Sequence, residues 1–370
     1  MKKISETNIN ILDGDRGKNY PSPNELYKNG FCLFLSNKNI VGNRLNLEDC
    51  AYITEERHNL LRQGTLTYND IVLTTRGTVG NLLFVDSTFP LPSRINSGMV
   101  ILRSDQSEYL QKYLFYYLQS SYVREQIDEL QTGSAQPQLP IKDINQLKIE
   151  SISIAKQQHI VDILGTLDDK IENLEEVNSK IQSYCIAKYR LLFSNVERIP
   201  LSNISAITMG QSPAGNTLNE KDGVIFYQGR TDFGFRYPTV RLFTTDPKRM
   251  ANTGDILLSV RAPVGDVNIA AEDCCIGRGI AAISSEYNSF VYYSILNQKS
   301  DFDIYNNSGT IFGSINRDAL SAFKIPAANI ALIEKFESVA SEMDKIIHNN
   351  TLEIYKLRAL KQVYLHKFFG

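Results

Sequence analysis

The stretch that decides the fold is residues 155–193, AKQQHIVDILGTLDDKIENLEEVNSKIQSYCIAKYRLLF, which contains one glycine and no proline. Its apolar residues recur in steps of three and four, the pattern of a narrow seam on a helix that pairs with another helix. At about 1.5 Å per residue the stretch makes a rod of roughly 58 Å. It therefore predicts a long coiled-coil helix that acts as a spacer between domains. The seam residues are Leu164, Leu167, Ile171, Leu174 and Ile181.

The same pattern occurs again near the C-terminus, displaced by 176 positions, in residues 330–369. The flank upstream of each rod repeats at the same displacement, so the repeated unit is longer than the helix itself. A repeat of this length indicates a duplicated structural module. The matched pairs are Leu167 with Met343, Ile171 with Ile347, Phe193 with Phe369, Gly133 with Gly309 and Lys148 with Lys324.

Composition limits the class of protein. The chain has 370 residues, of which 42% are hydrophobic and 22% charged, enough for two or three compact domains. Its N-terminus lacks the apolar core of a signal peptide and no stretch is long enough to span a membrane, so we expect a soluble cytoplasmic protein. The five cysteines and four histidines show no ligand spacing, and we expect no metal site.

The net charge of −2 bears on DNA binding. A protein that binds nucleic acid without sequence preference normally has a basic surplus, because its cations displace counterions from phosphates. This chain has no such surplus overall, so any DNA contact must be local. The acidic residues of the first rod fit a solvated helix face.

The first globular segment, residues 1–150, is predicted to mix strands, loops and one helix. Its clearest strand, residues 70–75, ends on the turn Arg76-Gly77-Thr78-Val79-Gly80, where glycines permit a tight turn. Residues 108–130 carry tyrosines and leucines at helical spacing, and we interpret this aromatic stripe as core packing in preference to a stacking surface. The segment is an α+β domain.

The second globular segment, residues 196–326, repeats the first. Residues 255–265 match residues 70–80 position by position and keep the aspartate, the arginine and the final glycine. Residues 226–234 stand where residues 34–42 stood, but the polar residues between the shared phenylalanine and glycine differ. Two domains with one scaffold and different exposed loops suit two different ligands of one chemical kind.

This arrangement resembles the specificity subunits of type I restriction-modification systems, over essentially the whole chain. The resemblance rests on the order domain, long helix, domain, long helix, and on the Asp-Ile-x-Leu motif followed by arginine and glycine in both halves. It rests also on Gly133-Ser134-Ala135-Gln136-Pro137-Gln138-Leu139, followed by a helix that opens with Gln157-Gln158-His159. We expect target-recognition domains at 1–150 and 196–326 and helices at 151–195 and 327–370.

The resemblance implies an α+β fold with two similar α/β target-recognition domains, two long antiparallel helices that form a coiled coil, and a pseudo-two-fold internal repeat. Each domain would read one half of a bipartite site on double-stranded DNA, and the helices would set the half-site spacing. Two methyltransferase subunits would bring S-adenosylmethionine. Restriction motor subunits would bring ATP and Mg²⁺ for DNA methylation and host defence. This chain itself would hold no catalytic residue and no cofactor.

Base reading in the major groove requires directional hydrogen-bond donors and acceptors. The variable loop supplies Asn37 and Lys38 in the first domain, and Gln228, Arg230 and Thr231 in the second. The alternative is that these loops are only solvated turns. Arg76 and Arg261 occur in both halves and could contact phosphate or pair with a carboxylate inside the fold.

Four further residues are candidates for partner contacts. Gln136 and Gln138 could contact DNA or the methyltransferase, whereas Lys180 and Lys188 lie on the outer face of the first rod, where partner subunits would dock. Two other classes remain open, an enzyme with an unrecognised site and a coiled-coil interaction scaffold that does not bind DNA. A gel shift with and without a methyltransferase subunit separates the three.

Overall fold

The computed structural model describes residues 1–133, 137–306 and 313–370. The chain divides into two compact units, Met1–Asn173 with Ile354–Gly370, and Leu174–Glu353. In the described part, no helix is long and apolar enough to cross a membrane. The helices are α1 (Glu55–Leu60), α2 (Gln111–Tyr117), α3 (Ser121–Leu130), α4 (Ile141–Ile144), α5 (Ile154–Phe193), α6 (Asn288–Asn297), α7 (Asp303–Asn306), α8 (Arg317–Ser321) and α9 (Ile330–Phe369).

The two predicted rods are confirmed as α5 and α9, each of 40 residues. Burial repeats along them at the displacement of 176, because equivalent positions face equivalent cores. Within the first unit Lys361 pairs with Asp168, and within the second Asn350 donates to Asn178. Residue numbers rise along one helix as they fall along the other, so the helices are antiparallel. The equivalent buried pairs include Ile160 with Phe336, Ile171 with Ile347 and Phe193 with Phe369.

The first unit builds its domain on two main sheets. One is antiparallel in the order β2-β10-β7-β8, and the other has the order β6-β3-β9, with β3 and β9 parallel. A third pairing, β1 with β11, places the N-terminus beside the start of α5. The strands are β1 (Lys2–Lys3), β2 (Ile9–Asp13), β3 (Cys32–Leu35), β4 (Ile40–Val41), β5 (Arg44–Leu45), β6 (Ala51–Ile53), β7 (Ile71–Thr74), β8 (Leu82–Phe84), β9 (Ser93–Ile95), β10 (Met99–Ser104) and β11 (Lys148–Ile149).

The second unit repeats this topology. Its antiparallel sheet has the order β13-β21-β18-β19, and its mixed sheet the order β14-β16-β15-β20-β17, with β15 and β20 parallel. The predicted duplication of the fold is confirmed, although the second mixed sheet gains edge strands. The strands are β12 (Arg198–Pro200), β13 (Ala206–Met209), β14 (Leu218–Asn219), β15 (Val224–Tyr227), β16 (Leu242–Thr244), β17 (Met250–Ala251), β18 (Ile256–Ser259), β19 (Val267–Ile269), β20 (Cys274–Ile276), β21 (Ile280–Ser284) and β22 (Lys324–Pro326).

Each domain packs its antiparallel sheet and its aromatic helix against the ends of the long helices. In the first unit the core includes Tyr113 and Tyr117 of α2 and Phe369 of α9. In the second it includes Phe290 of α6 and Phe193 of α5. The aromatic stripe is therefore core, as the spacing indicates.

One sequence-based boundary is wrong. The helix predicted over residues 108–130 is two helices, because Ser120 caps α3 by accepting a hydrogen bond from the Val123 amide. The error arises from a short polar cap that interrupts an apolar pattern. Residues 4–6 form a 3-10 turn before β2 begins.

Candidate nucleic-acid interface

A strand and turn of identical design stand in both domains. The hydroxyls of Thr74 and Ser259, at the ends of β7 and β18, each accept an amide hydrogen bond of 2.9 Å from seven residues further on. Gly80 and Gly265 close the two turns with φ of 90° and 101°, a conformation that favours glycine. The repeated glycine therefore serves the geometry of the turn.

The repeated arginines lie on these turns. Arg76 forms a β-bridge with Gln138, and Arg261 forms one with Ser314, so each turn lies beside the segment that precedes the long helix. Arg261 is exposed and Arg76 is half-buried. Within the described residues neither guanidinium forms an ion pair.

The variable loop of the first domain follows β3 and reaches this turn. The Asn37 side-chain amide donates to the Arg76 carbonyl, so part of its hydrogen-bonding capacity is used within the fold. Lys38, next to it, is exposed. Asn39 is buried and accepts from the Ser36 amide at 2.9 Å, which holds the loop in a short 3-10 turn. The structure thus places Lys38 and Arg76 on neighbouring loops at one end of the domain.

The corresponding loop of the second domain follows β15. Asp232 is buried and accepts from the Gln228 amide at 2.7 Å and from Arg241 Nε at 2.8 Å. This leaves the side chains of Gln228, Arg230 and Thr231 at the exposed surface, and Thr231 accepts a bond of 3.1 Å from Arg241.

Arg230 is neutralised within the domain. It pairs with Asp266, which also pairs with Lys299 at 2.5 Å. Burial alone would raise the pKa of Asp266, but the hydrogen bonds from Lys299 and Arg230 lower it below its ordinary value. Asp266 therefore carries its charge at neutral pH and offsets part of the positive charge at this end of the domain.

Arg278 is a further exposed arginine near these loops. It lies in the turn between β20 and β21, and a Cβ at Gly277 or Gly279 would meet the Gln228 carbonyl oxygen at 3.0 or 2.8 Å. The Val260 amide donates to the Gly279 carbonyl, so the turn also touches the segment that carries Arg261. The Gly-Arg-Gly sequence could have indicated this turn, because glycines permit such close approach between backbone segments.

Both halves of the chain match one known protein family. The family model of the type I restriction modification DNA specificity domain matches residues 9–183 and again residues 194–350. The chain belongs to this family. Its two matches coincide with the two halves of the repeat, so the internal duplication is a duplication of the family's domain.

Two similar proteins span nearly the whole chain. A Methanocaldococcus jannaschii protein assigned as the specificity subunit of the type I restriction enzyme MjaX is 27% identical over 340 residues, 83% of this chain and 78% of that protein. The crystal structure of a type I S subunit from M. genitalium aligns over 100% of this chain and 95% of that chain, at 16% identity and a TM-score of 0.60. The second likeness shows the fold alone.

The remaining candidates of this specificity subunit fall on the helices and on one loop. Lys180 is exposed and pairs with Glu176 at 2.6 Å, and Lys188 lies 5.8 Å from the Tyr184 ring centroid. Gln138 exchanges backbone hydrogen bonds with Thr132, whereas Gln136 lies outside the described residues. In the part of the chain that is described, no group of three or more potential ligands forms a metal site.

Proposed function

We propose that this specificity subunit reads a bipartite site on double-stranded DNA, one half-site for each globular domain. The observation that carries the proposal is the repeated strand and turn with its repeated arginine, beside loops whose exposed side chains differ between domains. Phosphate contacts position a protein on DNA, whereas base contacts specify sequence. Arg76 and Arg261 suit the first role, and Lys38, Gln228 and Arg230 suit the second.

The long helices would set the spacing of the half-sites and dock the partner subunits. Their antiparallel pairing supports a fixed distance, because the contacts between Asp168 and Lys361 and between Asn178 and Asn350 define one register. Two methyltransferase subunits would supply S-adenosylmethionine, and restriction subunits would supply the ATP-dependent motor. The chain on its own would catalyse nothing.

Methylation sequencing tests the proposal. Cells that express this chain with its methyltransferase subunit should carry adenine methylation at one bipartite motif, and cells with the methyltransferase alone should not. A gel shift of duplexes with that motif should show specific binding when both subunits are present. Methylation without any motif, or binding that ignores sequence, would contradict the proposal, and no binding under any condition would favour a protein scaffold.

Partner docking has its own test. Lys180→Glu with Lys188→Glu reverses two charges on α5, and we expect the methyltransferase to be lost from a pull-down with this double variant. Lys221→Glu is the matched control, because Lys221 is exposed on a turn of the second domain. Equal retention of the methyltransferase by all three proteins would place the docking surface elsewhere.

A further inference from the structure

Arg236 is a buried arginine within the second domain's reading segment, residues 228–241. Only 1% of its surface is exposed. Its guanidinium donates to the Tyr293 hydroxyl at 2.8 Å and lies 3.2 Å from a carboxylate oxygen of Asp344. The carboxylate belongs to α9, so this side chain joins the segment that carries Gln228 and Arg230 to the long helix.

The residues around the Arg236 guanidinium stabilise a positive charge. Asp344 also accepts from Ser289 Oγ at 2.7 Å and from the Tyr293 hydroxyl at 2.8 Å. The guanidinium carbon lies 4.0 Å from the Tyr292 ring centroid, a cation–π contact. Burial opposes the charge of Arg236, but Tyr292 and Asp344 raise its pKa above its ordinary value. The arginine therefore stays charged and fixed.

The reading segment is tied down on both sides of this anchor. The Ile269 amide donates to the Arg236 carbonyl at 2.9 Å, which fixes its backbone to β19. Asp232 holds the Gln228 amide on one side and Arg241 on the other. A shift of Arg236 would therefore be transmitted to the exposed side chains at the start of the segment.

In the first half of the molecule, the aspartate equivalent to Asp344 pairs with a lysine of the other long helix. Asp168, the equivalent of Asp344, accepts from the Tyr116 hydroxyl at 2.9 Å and from Lys361 at 2.7 Å, and Lys361 lies on α9. In the second half Cys185 occupies the position equivalent to Lys361. A contact between helices is thus replaced by a contact between the reading segment and a helix.

We propose that Arg236 is a positioning residue for base reading, which fixes the segment 228–241 to α9 through Asp344 and Tyr293. The proposal rests on the proposed function. A directional hydrogen bond to a base edge discriminates only when its donor is held in place, and each good bidentate contact is worth about 1–3 kcal/mol against the wrong base. Arg236 contacts no base itself.

The test compares methylation motifs in cells that carry the full complex. Arg236→Lys keeps the charge but loses the planar fork, and Asp344→Asn removes the receiving charge. For both variants we expect one half of the motif to become degenerate, with discrimination reduced about tenfold, while the other half keeps its sequence. Asp246→Asn, which breaks an exposed pair with Lys248 in the same domain, is the control, and it should leave both halves of the motif intact.

Tyr293→Phe is a milder variant, which removes the hydroxyl and keeps the ring. It separates an effect on base reading from a failure to fold. It should relax the same half of the motif while thermal unfolding still shows a folded complex. An unchanged motif in all three variants would overturn the role of Arg236, and so would equal loss of both halves. A wild-type complex without a bipartite motif would instead refute the proposed function.

Discussion

Asp266 controls how much positive charge the second domain presents at its loop end. It pairs with Arg230 and with Lys299, and its lowered pKa keeps it ionised at neutral pH. A negative group beside a proposed base reader limits binding to DNA in general, because nonspecific affinity comes from the balance of charge. The same contact holds Arg230, so we expect Asp266 to lower nonspecific affinity while it supports base reading.

Asp266→Asn should therefore raise nonspecific DNA affinity and lower specificity. The two released cations can each meet a phosphate, and we expect the slope of log K against log salt to steepen by about one to two. The measurement is the dissociation constant of the complex on a duplex without its motif, at several salt concentrations. Asp246→Asn, which frees Lys248 from an exposed pair of 2.6 Å, is the control. An unchanged slope in the Asp266 variant would show that these cations do not face DNA.

At the scale of the helix, Asn178 and Asn350 form a polar pair between α5 and α9. Asn178 is 2% exposed and accepts a hydrogen bond of 2.8 Å from the Asn350 amide. The asparagines therefore lie within the seam and not at its solvent edge. A paired polar residue in a seam of apolar side chains fixes register at a cost in stability.

Replacing one asparagine should cost more than replacing both. Asn350→Leu leaves a buried amide without its partner, and we expect a loss of about 1–3 kcal/mol in the free energy of unfolding of the second unit. The double change to leucine should recover that loss and reach or exceed the stability of the wild type, because the polar pair itself costs stability. Thermal unfolding of the wild type, both single variants and the double variant gives the coupling energy. Additive effects would show that the hydrogen bond contributes nothing.

Helix length should set the spacing between half-sites. Seven residues lengthen a helix by about 10.5 Å, close to three base pairs of B-DNA. Because α5 and α9 pair, a heptad must enter both, after Asn173 and after Glu353, for the seam to continue. We expect methylation sequencing to find a spacer about three base pairs longer. Binding should also be weaker, since three base pairs turn the duplex by roughly 100°. An unchanged spacer would show that the length of the helices does not set the half-site spacing.

The sequence alone predicts the elements whose signal is periodic. The displacement of 176 gives both long helices and their equivalent buried positions, and the repeated Asp-Ile-x-Leu motif gives β7 and β18. The network of Arg236 and Asp344 is invisible in sequence. Asp344 has the spacing of a half-exposed helix residue, and Arg236 lies in an irregular segment, so only the tertiary fold brings them together. The boundary between α2 and α3 is not predicted, because a single capping residue, Ser120, ends an otherwise continuous apolar pattern.

At the scale of the molecule, the last phenylalanine of each long helix packs into the core of one unit. Phe369 packs with Tyr113 and Tyr117 at centroid distances of 5.7 and 5.3 Å. Its equivalent, Phe193, packs with Phe290 at 5.0 Å and with Phe336 at 5.6 Å. The two phenylalanines therefore occupy equivalent core positions, one in each unit.

Phe369→Ala and Phe193→Ala should thus destabilise different units. Truncation of a buried phenylalanine typically costs about 3–5 kcal/mol. Hydrogen exchange should quicken in β10 for Phe369→Ala and in β21 for Phe193→Ala, with the other unit protected as in the wild type. Because a chain of two units need not unfold in one step, exchange measured strand by strand is the suitable readout. Equal acceleration in both strands would show that the units unfold as one.

The place of Leu365 and Phe369 in the first unit has a consequence during synthesis. Their partners on α2 leave the ribosome early, but roughly 180 residues separate the two parts of this unit along the chain. At about 5–20 residues per second, the first domain waits about 10–40 s for the residues that complete its core. A premature stop codon late in the reading frame would therefore damage the domain made first and spare most of the one made last.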